Sequence, residues 1–197
     1  MSLHAGVWAV TPSTSATLLR TAAAIGGAGA LTLLVNEIAV GGCGYKIRIT
    51  SVGDDSGDTF TIVGNKVGNP YTETTEVVTG PNATTADSTN YWAYVRSITA
   101  SGASAGNVSI GTTGSLALPR VRIQAVAYVG AAAAGTIDVN LNSTSGTLIL
   151  RIDTAASATY ADTVDIPGGG ILTGRSTATD FAILTLTQVS KVTLFCS

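Results

Sequence analysis

Short runs in which hydrophobic and polar residues alternate fill residues 45–113, and turn residues separate the runs. Phe60 and Ile62 fall on one side of an extended chain and the neighbouring threonines on the other, because successive side chains of a strand point to opposite faces. This pattern predicts a half-buried strand. The glycine- and proline-containing segment 64–70 predicts a turn, and the Thr- and Val-rich run 71–78 resumes the alternation, so together they predict a hairpin.

The same alternation continues through the second half of the chain. Further runs occupy residues 91–99, 120–128, 135–141, 147–152, 181–186 and 191–195. About a dozen short strands with Gly and Pro turns, and almost no helical periodicity, predict an all-β protein with an antiparallel β-sandwich or jelly-roll-like fold. The pattern leaves open whether the chain forms one continuous double sheet or two sandwiches in tandem.

Residues 1–43 do not follow this alternation. Trp8 is isolated, and the stretch 17–24 is compatible with one or two turns of helix. We interpret residues 1–43 as an N-terminal arm, which either packs on its own domain or lies on a neighbouring subunit. Pro119 holds the residue before it extended and marks a boundary. We therefore predict a first β-sandwich module at residues 44–116 and a second at 117–197.

The composition changes the picture of the surface. Charged residues make up 11% of the chain, compared with about 25% in an average soluble protein. The sequence also contains 30 threonines and 23 glycines, so the exposed faces of its strands are expected to be neutral and rich in hydroxyl groups. Proteins that remain dispersed usually carry more charge, so we expect a homo-oligomer or a chain covered by partners. A monomeric sandwich is the alternative.

Several partners are excluded by charge and hydropathy. The net charge is −2 and the ten basic residues are scattered, which gives no electrostatic footprint for direct nucleic-acid binding.

Residues 21–40 contain three glycines, Asn36 and Glu37, so they do not resemble the roughly 20 predominantly apolar residues of a membrane-spanning helix. The start of the chain shows no secretory signal pattern, which favours synthesis in a cytoplasm. There, Cys43 and Cys196 are expected as buried thiols rather than a disulfide.

Acidic residues supply the candidate chemistry. Asp54, Asp55 and Asp58 surround a glycine and could ligate calcium through their oxygen atoms. Their spacing does not match the twelve-residue calcium loop, so a polar hairpin tip is the preferred interpretation. Glu73 and Glu76 lie three apart on a predicted strand and point to opposite faces, which does not suit paired acid and base catalysis. We predict no metal, no cofactor and no enzymatic activity.

Aromatic residues are concentrated in one predicted strand, 91–99. Trp92 and Tyr94 are expected to share a face of this strand, with Tyr91 on the opposite face. Such residues either pack in a core or an interface, which we favour, or form a platform on which sugars stack. Together with Trp8 in the arm, these three residues are our candidate interface.

Most of residues 45–197 resemble the β-sandwich modules of tailed-bacteriophage virion proteins. The resemblance lies in a glycine-ended strand, a Glu-Thr strand, an aromatic strand ending in Val-x-Ser-Ile-Thr, a closing Val-x-Ile-Gly and a C-terminal glycine turn. The segments that carry it are 60–64, 73–74, 78–82, 91–99, 106–111, 166–171 and 192–195.

The resemblance implies a non-enzymatic component of a virion, present in many copies. We expect a capsid decoration or cement protein that clamps neighbouring shell subunits, with the major capsid protein or other virion proteins as partners. The alternative is a tail- or fibre-associated receptor-binding protein that uses the aromatic residues to bind glycans.

Overall fold

The computed structural model describes residues 6–9, 12–156, 161–173 and 181–197. Within these residues the regular structure consists of strands and a single 3-10 turn, Val40–Gly42. The strands, in chain order, are β1 (Gly6–Ala9), β2 (Ser15–Ala23), β3 (Gly29–Ala30), β4 (Gly44–Ser51), β5 (Thr59–Lys66), β6 (Asn69–Thr79), β7 (Thr85–Ala100), β8 (Val108–Leu118), β9 (Arg122–Gly130), β10 (Gly135–Leu141), β11 (Leu148–Thr154), β12 (Ala161–Asp165), β13 (Ile171–Leu172), β14 (Ala182–Thr187) and β15 (Val189–Cys196).

The chain divides into two compact units. Unit 1 comprises the described part of Met1–Pro12 together with that of Ser115–Ser197, and unit 2 comprises Ser13–Gly114. The division after Gly114 lies two residues from the module boundary predicted after residue 116. The predicted arm is shared between the units, since β1 pairs with β15 in unit 1 and β2 pairs with β8 in unit 2.

Unit 1 is an antiparallel β-sandwich. One sheet has the strand order β1-β15-β9-β12, and β13 also pairs with β9. In the other sheet β14 lies between β10 and the end of β8, and β11 pairs with the far side of β10. Large side chains of both sheets are fully buried, among them Ile123, Ile137, Leu184, Val192 and Leu194. The all-β, antiparallel sandwich prediction is confirmed.

Unit 2 is built on a sheet with the order β8-β4-β7-β5-β6. The 16-residue strand β7 changes partner along its length, pairing with β4 as far as Trp92 and with β5 from Trp92 to Ala100. The core residues of this sheet are completely buried, as in Ile47, Ile62 and Ile98. Burying such a side chain stabilises the fold by about 1.5–3 kcal/mol.

The β5–β6 hairpin is confirmed, but its turn is shorter than predicted. Strand β5 continues to Lys66, and the chain reverses at Val67 and Gly68, where Gly68 has a φ of 80°. Gly64 therefore lies inside the strand rather than in a turn. A Cβ atom at this position would lie 2.1 Å from the backbone oxygen of Tyr94, so glycine permits close approach of β5 to β7.

The helical turns considered for residues 17–24 are wrong, because β2 spans Ser15–Ala23. Pairing with β8 and the complete burial of Leu19 outweigh the weak helical preference of this Ala- and Leu-containing stretch. The two thiols are buried as expected, and they do not form a disulfide. Burial raises the pKa of Cys196 to about 11.

Candidate interaction surface

The aromatic segment of β7 does not present the face that its sequence predicts. Trp92 is 0% exposed, whereas Tyr94 is 41% exposed. The expectation that the two side chains share a face is therefore wrong. In the pairing with β5, Asn65 lies opposite Tyr94 and Lys66 lies opposite Trp92, so Ala93 is an additional residue in β7. One extra residue reverses which side chains point inward, and Trp92 and Ala93 are consecutively buried.

The four candidate interface residues therefore have different environments. Trp92 packs in the core of unit 2, and its Nε1 has no hydrogen-bond partner among the described residues. Tyr91 is partly buried, which raises its pKa, and Lys46 Nζ lies 5.4 Å from the centre of its ring. The Trp8 side chain lies outside the described part of the structure. An interface role for Tyr91, Tyr94 and Trp8 stays a prediction.

The three aspartates of the β4–β5 connection each have a separate structural partner. The Ser56 backbone N–H and Oγ donate to Asp54 Oδ1 at 3.1 and 2.6 Å, which lowers the pKa of Asp54. Asp55 is 2% exposed, and its Oδ1 accepts a 2.6 Å hydrogen bond from the Ala105 N–H. Asp58 Oδ1 accepts a bond of 3.0 Å from Ser101 Oγ.

These contacts hold the connection against the loop after β7. Nowhere in the described ranges do three His, Cys, Asp or Glu side chains form a group that could hold a metal ion. Strand β7 lies between β4 and β5 in the sheet, so this acidic segment connects two separated strands, and the prediction of a hairpin tip is wrong. Sequence spacing alone did not reveal that Asp55 would be buried, since its neighbours on both sides are polar.

Strand β6 is the feature of unit 2 that sequence reasoning did not single out. It has 11 residues and lies at the edge of its sheet, where β5 is its one partner among the described strands. Its exposed face carries two large hydrophobic side chains, Tyr71 at 96% and Val77 at 59% exposed. An edge strand leaves a row of backbone N–H and C=O groups available for another strand.

The acidic side chains of β6 are held within unit 2. Glu73 forms an ion pair with Arg96, with an Oε2–Nε distance of 3.0 Å. Glu76 Oε2 accepts hydrogen bonds from the backbone N–H and the Nδ2 of Asn90, at 3.1 and 2.8 Å. Charged side chains are one of the means by which proteins protect an edge strand. Here both carboxylates already have partners on β7.

A neutral face extends from this edge across β5 to β7. In one row, Thr61 lies between Val77 and Thr99, and in the next row Val63 lies between Thr75 and Ser97. Residues opposite one another in antiparallel strands lie on the same side of the sheet. All of these side chains are exposed or partly exposed. We call this set, together with Tyr71, the β6 face.

Comparisons with known proteins identify no relative: no family model, no curated protein and no solved structure matches the chain. Across the described ranges, none of the helical structure has the length and hydrophobicity needed to span a bilayer.

Proposed function

We propose that this chain is a non-enzymatic structural protein of a bacteriophage particle, acting as a capsid decoration or cement protein. In this role many copies are held on a shell, and each copy buries part of its surface on the major capsid protein or on its own neighbours. The proposal follows the resemblance of most of residues 45–197 to virion β-sandwich modules. The β6 face is the structural observation that carries it.

The chemistry of this face suits a wide, neutral contact. It offers threonine hydroxyl groups, which donate and accept hydrogen bonds. It also offers methyl groups, which make no hydrogen bonds to water that burial would break. The charges beside this face are those of the exposed ion pair between Glu73 and Arg96, which balance each other. A standard interface buries about 800 Å² per partner. Repetition over a shell makes many modest contacts strong in combination.

Three carboxylates of unit 2 also have structural partners. Asp55 and Asp58 join the β4–β5 connection to the loop after β7, and Glu76 holds the backbone of β7. These contacts support a role in which the chain is a rigid part of an assembly.

The glycan-binding alternative receives less support. Its proposed platform comprised Tyr91, Trp92 and Tyr94, and Trp92 is completely buried. Tyr94 is accessible, but a single ring does not distinguish sugar stacking from protein contact.

Particles assembled with and without the chain provide the test. We expect the chain in many copies per particle, and we expect particles that lack it to release DNA at a lower temperature. Adding back the purified chain should restore the release temperature. Unchanged release from particles that lack the chain would contradict the cement role, and absence of the chain from purified particles would contradict the structural role.

A further inference from the structure

The open edge of β6 carries a sequence that is complementary to itself. Residues with odd numbers from Tyr71 to Val77 lie on the exposed face, and Val78 on the other face is buried. When two copies of a strand pair in antiparallel fashion around a two-fold axis perpendicular to the sheet, residues of the same face must lie opposite one another. Only registers that match odd with odd and even with even positions meet this condition.

We infer that β6 pairs with β6 of a second copy of this chain, in antiparallel register centred on Thr74. In this register Tyr71 of each copy lies opposite Val77 of the other. The two most exposed hydrophobic side chains of the strand therefore pair with each other at two symmetry-related positions. Glu73 lies opposite Thr75 and Glu76 lies opposite Thr72, so each carboxylate faces a hydroxyl group.

The neighbouring registers lack this complementarity. Centring the pair on Glu73 or on Glu76 places two carboxylates directly opposite each other, which is destabilising. Centring it on Thr75 places Glu73 opposite Val77 and leaves Tyr71 opposite Thr79. Among the registers centred on residues 73 to 76, the one centred on Thr74 is thus the one that matches hydrophobic with hydrophobic side chains and separates the acids.

The pairing joins the β6 faces of two copies into one wider face. This inference deepens the proposed function, on which its setting in a particle rests, but the pairing itself is a property of the purified chain. A contact through one strand is expected to be weak in solution and to act through repetition. It is therefore to be measured at high protein concentration.

Sedimentation equilibrium of the full-length chain and its variants tests the register. The wild-type chain is expected to form a concentration-dependent dimer. Tyr71→Lys and Val77→Glu should each weaken the dimer at least tenfold, since each places a charge opposite an apolar side chain. The double variant should regain most of the affinity, because each introduced lysine then faces an introduced glutamate of the other copy. Within one chain the two positions are six residues, or about 20 Å, apart, so they do not compensate each other internally.

Matched variants keep the result interpretable. Val52→Lys alters a valine that is 74% exposed outside β6 and should leave the dimer unchanged. Val77→Lys should weaken the dimer, whereas it would strengthen a dimer centred on Thr75 by facing Glu73. Thermal unfolding of each variant checks that the fold is retained. A wild-type chain that stays monomeric at high concentration would overturn the inference, as would single variants with no effect or a double variant without recovery. Such an outcome would leave release of DNA from particles as the separate test of the proposed function.

Discussion

Strands β6 and β7 flank the same strand, β5, yet they have opposite environments. β7 is the aromatic strand, and its Trp92 is completely buried. β6 is rich in threonine, and its Tyr71 is 96% exposed. β7 pairs with β4 and with β5 along different parts of its length, whereas β6 has β5 as its one partner among the described strands. The position of a strand in the sheet, more than its aromatic content, decides which one is available to a partner.

The largest expected difference between the two strands is in how much stability is lost when an aromatic ring is removed. Trp92→Ala should lower the free energy of unfolding by about 3–5 kcal/mol, because it leaves a cavity in a closed core. Tyr71→Ala should change it by about 0.5 kcal/mol or less, as is usual for exposed positions. Denaturant unfolding of both variants measures the difference. Equal losses would mean that Tyr71 is packed as tightly as Trp92.

A second expected effect concerns the close approach of β5 to β7 at Gly64. Gly64→Ala places a Cβ atom against the backbone oxygen of Tyr94. It should lower the free energy of unfolding by about 1–3 kcal/mol, as at other overpacked sites. Gly57→Ala is the matched control, since its Cβ atom would have no neighbour within 4 Å. Unfolding midpoints in urea check the pair. A tolerated Gly64→Ala would show that close approach of β5 and β7 is not required.

The smallest expected effects on stability distinguish the inner face of β6 from its outer face. Glu76→Ala removes an acceptor for the backbone N–H groups of Thr89 and Asn90. It should lower the free energy of unfolding by about 1–2 kcal/mol. Glu73→Ala removes an exposed ion pair with Arg96. It should lower the free energy of unfolding by about 0.5 kcal/mol or less. Thermal unfolding of the two variants side by side is the measurement. The reverse order would contradict the assignment of Glu76 to the inner side and Glu73 to the outer side.

The sequence predicted the strands well because alternation reports burial directly. Phe60 and Ile62 were expected on the buried side of a strand, and they are 1% and 0% exposed. The β5–β6 hairpin followed from the turn residues around Gly68. The all-β sandwich class followed from the number and spacing of such runs.

The candidate site was harder to predict for two physical reasons. The extra residue Ala93 has no signature in a single sequence, because a bulge depends on the pairing with β5, and it reversed the expected orientation of Tyr94 relative to Trp92. Strand order is also not contained in alternation, so nothing marked β6 as an edge. The β6 face became visible only when its neighbours were known.

A structure of the assembled particle at side-chain resolution tests the central claim most directly. The account predicts that the β6 face is covered, with a neighbouring copy or a shell subunit against Tyr71 and Val77, while Trp92 stays in its core. A particle in which the chain is present and Tyr71 and Val77 face solvent in every copy would contradict it.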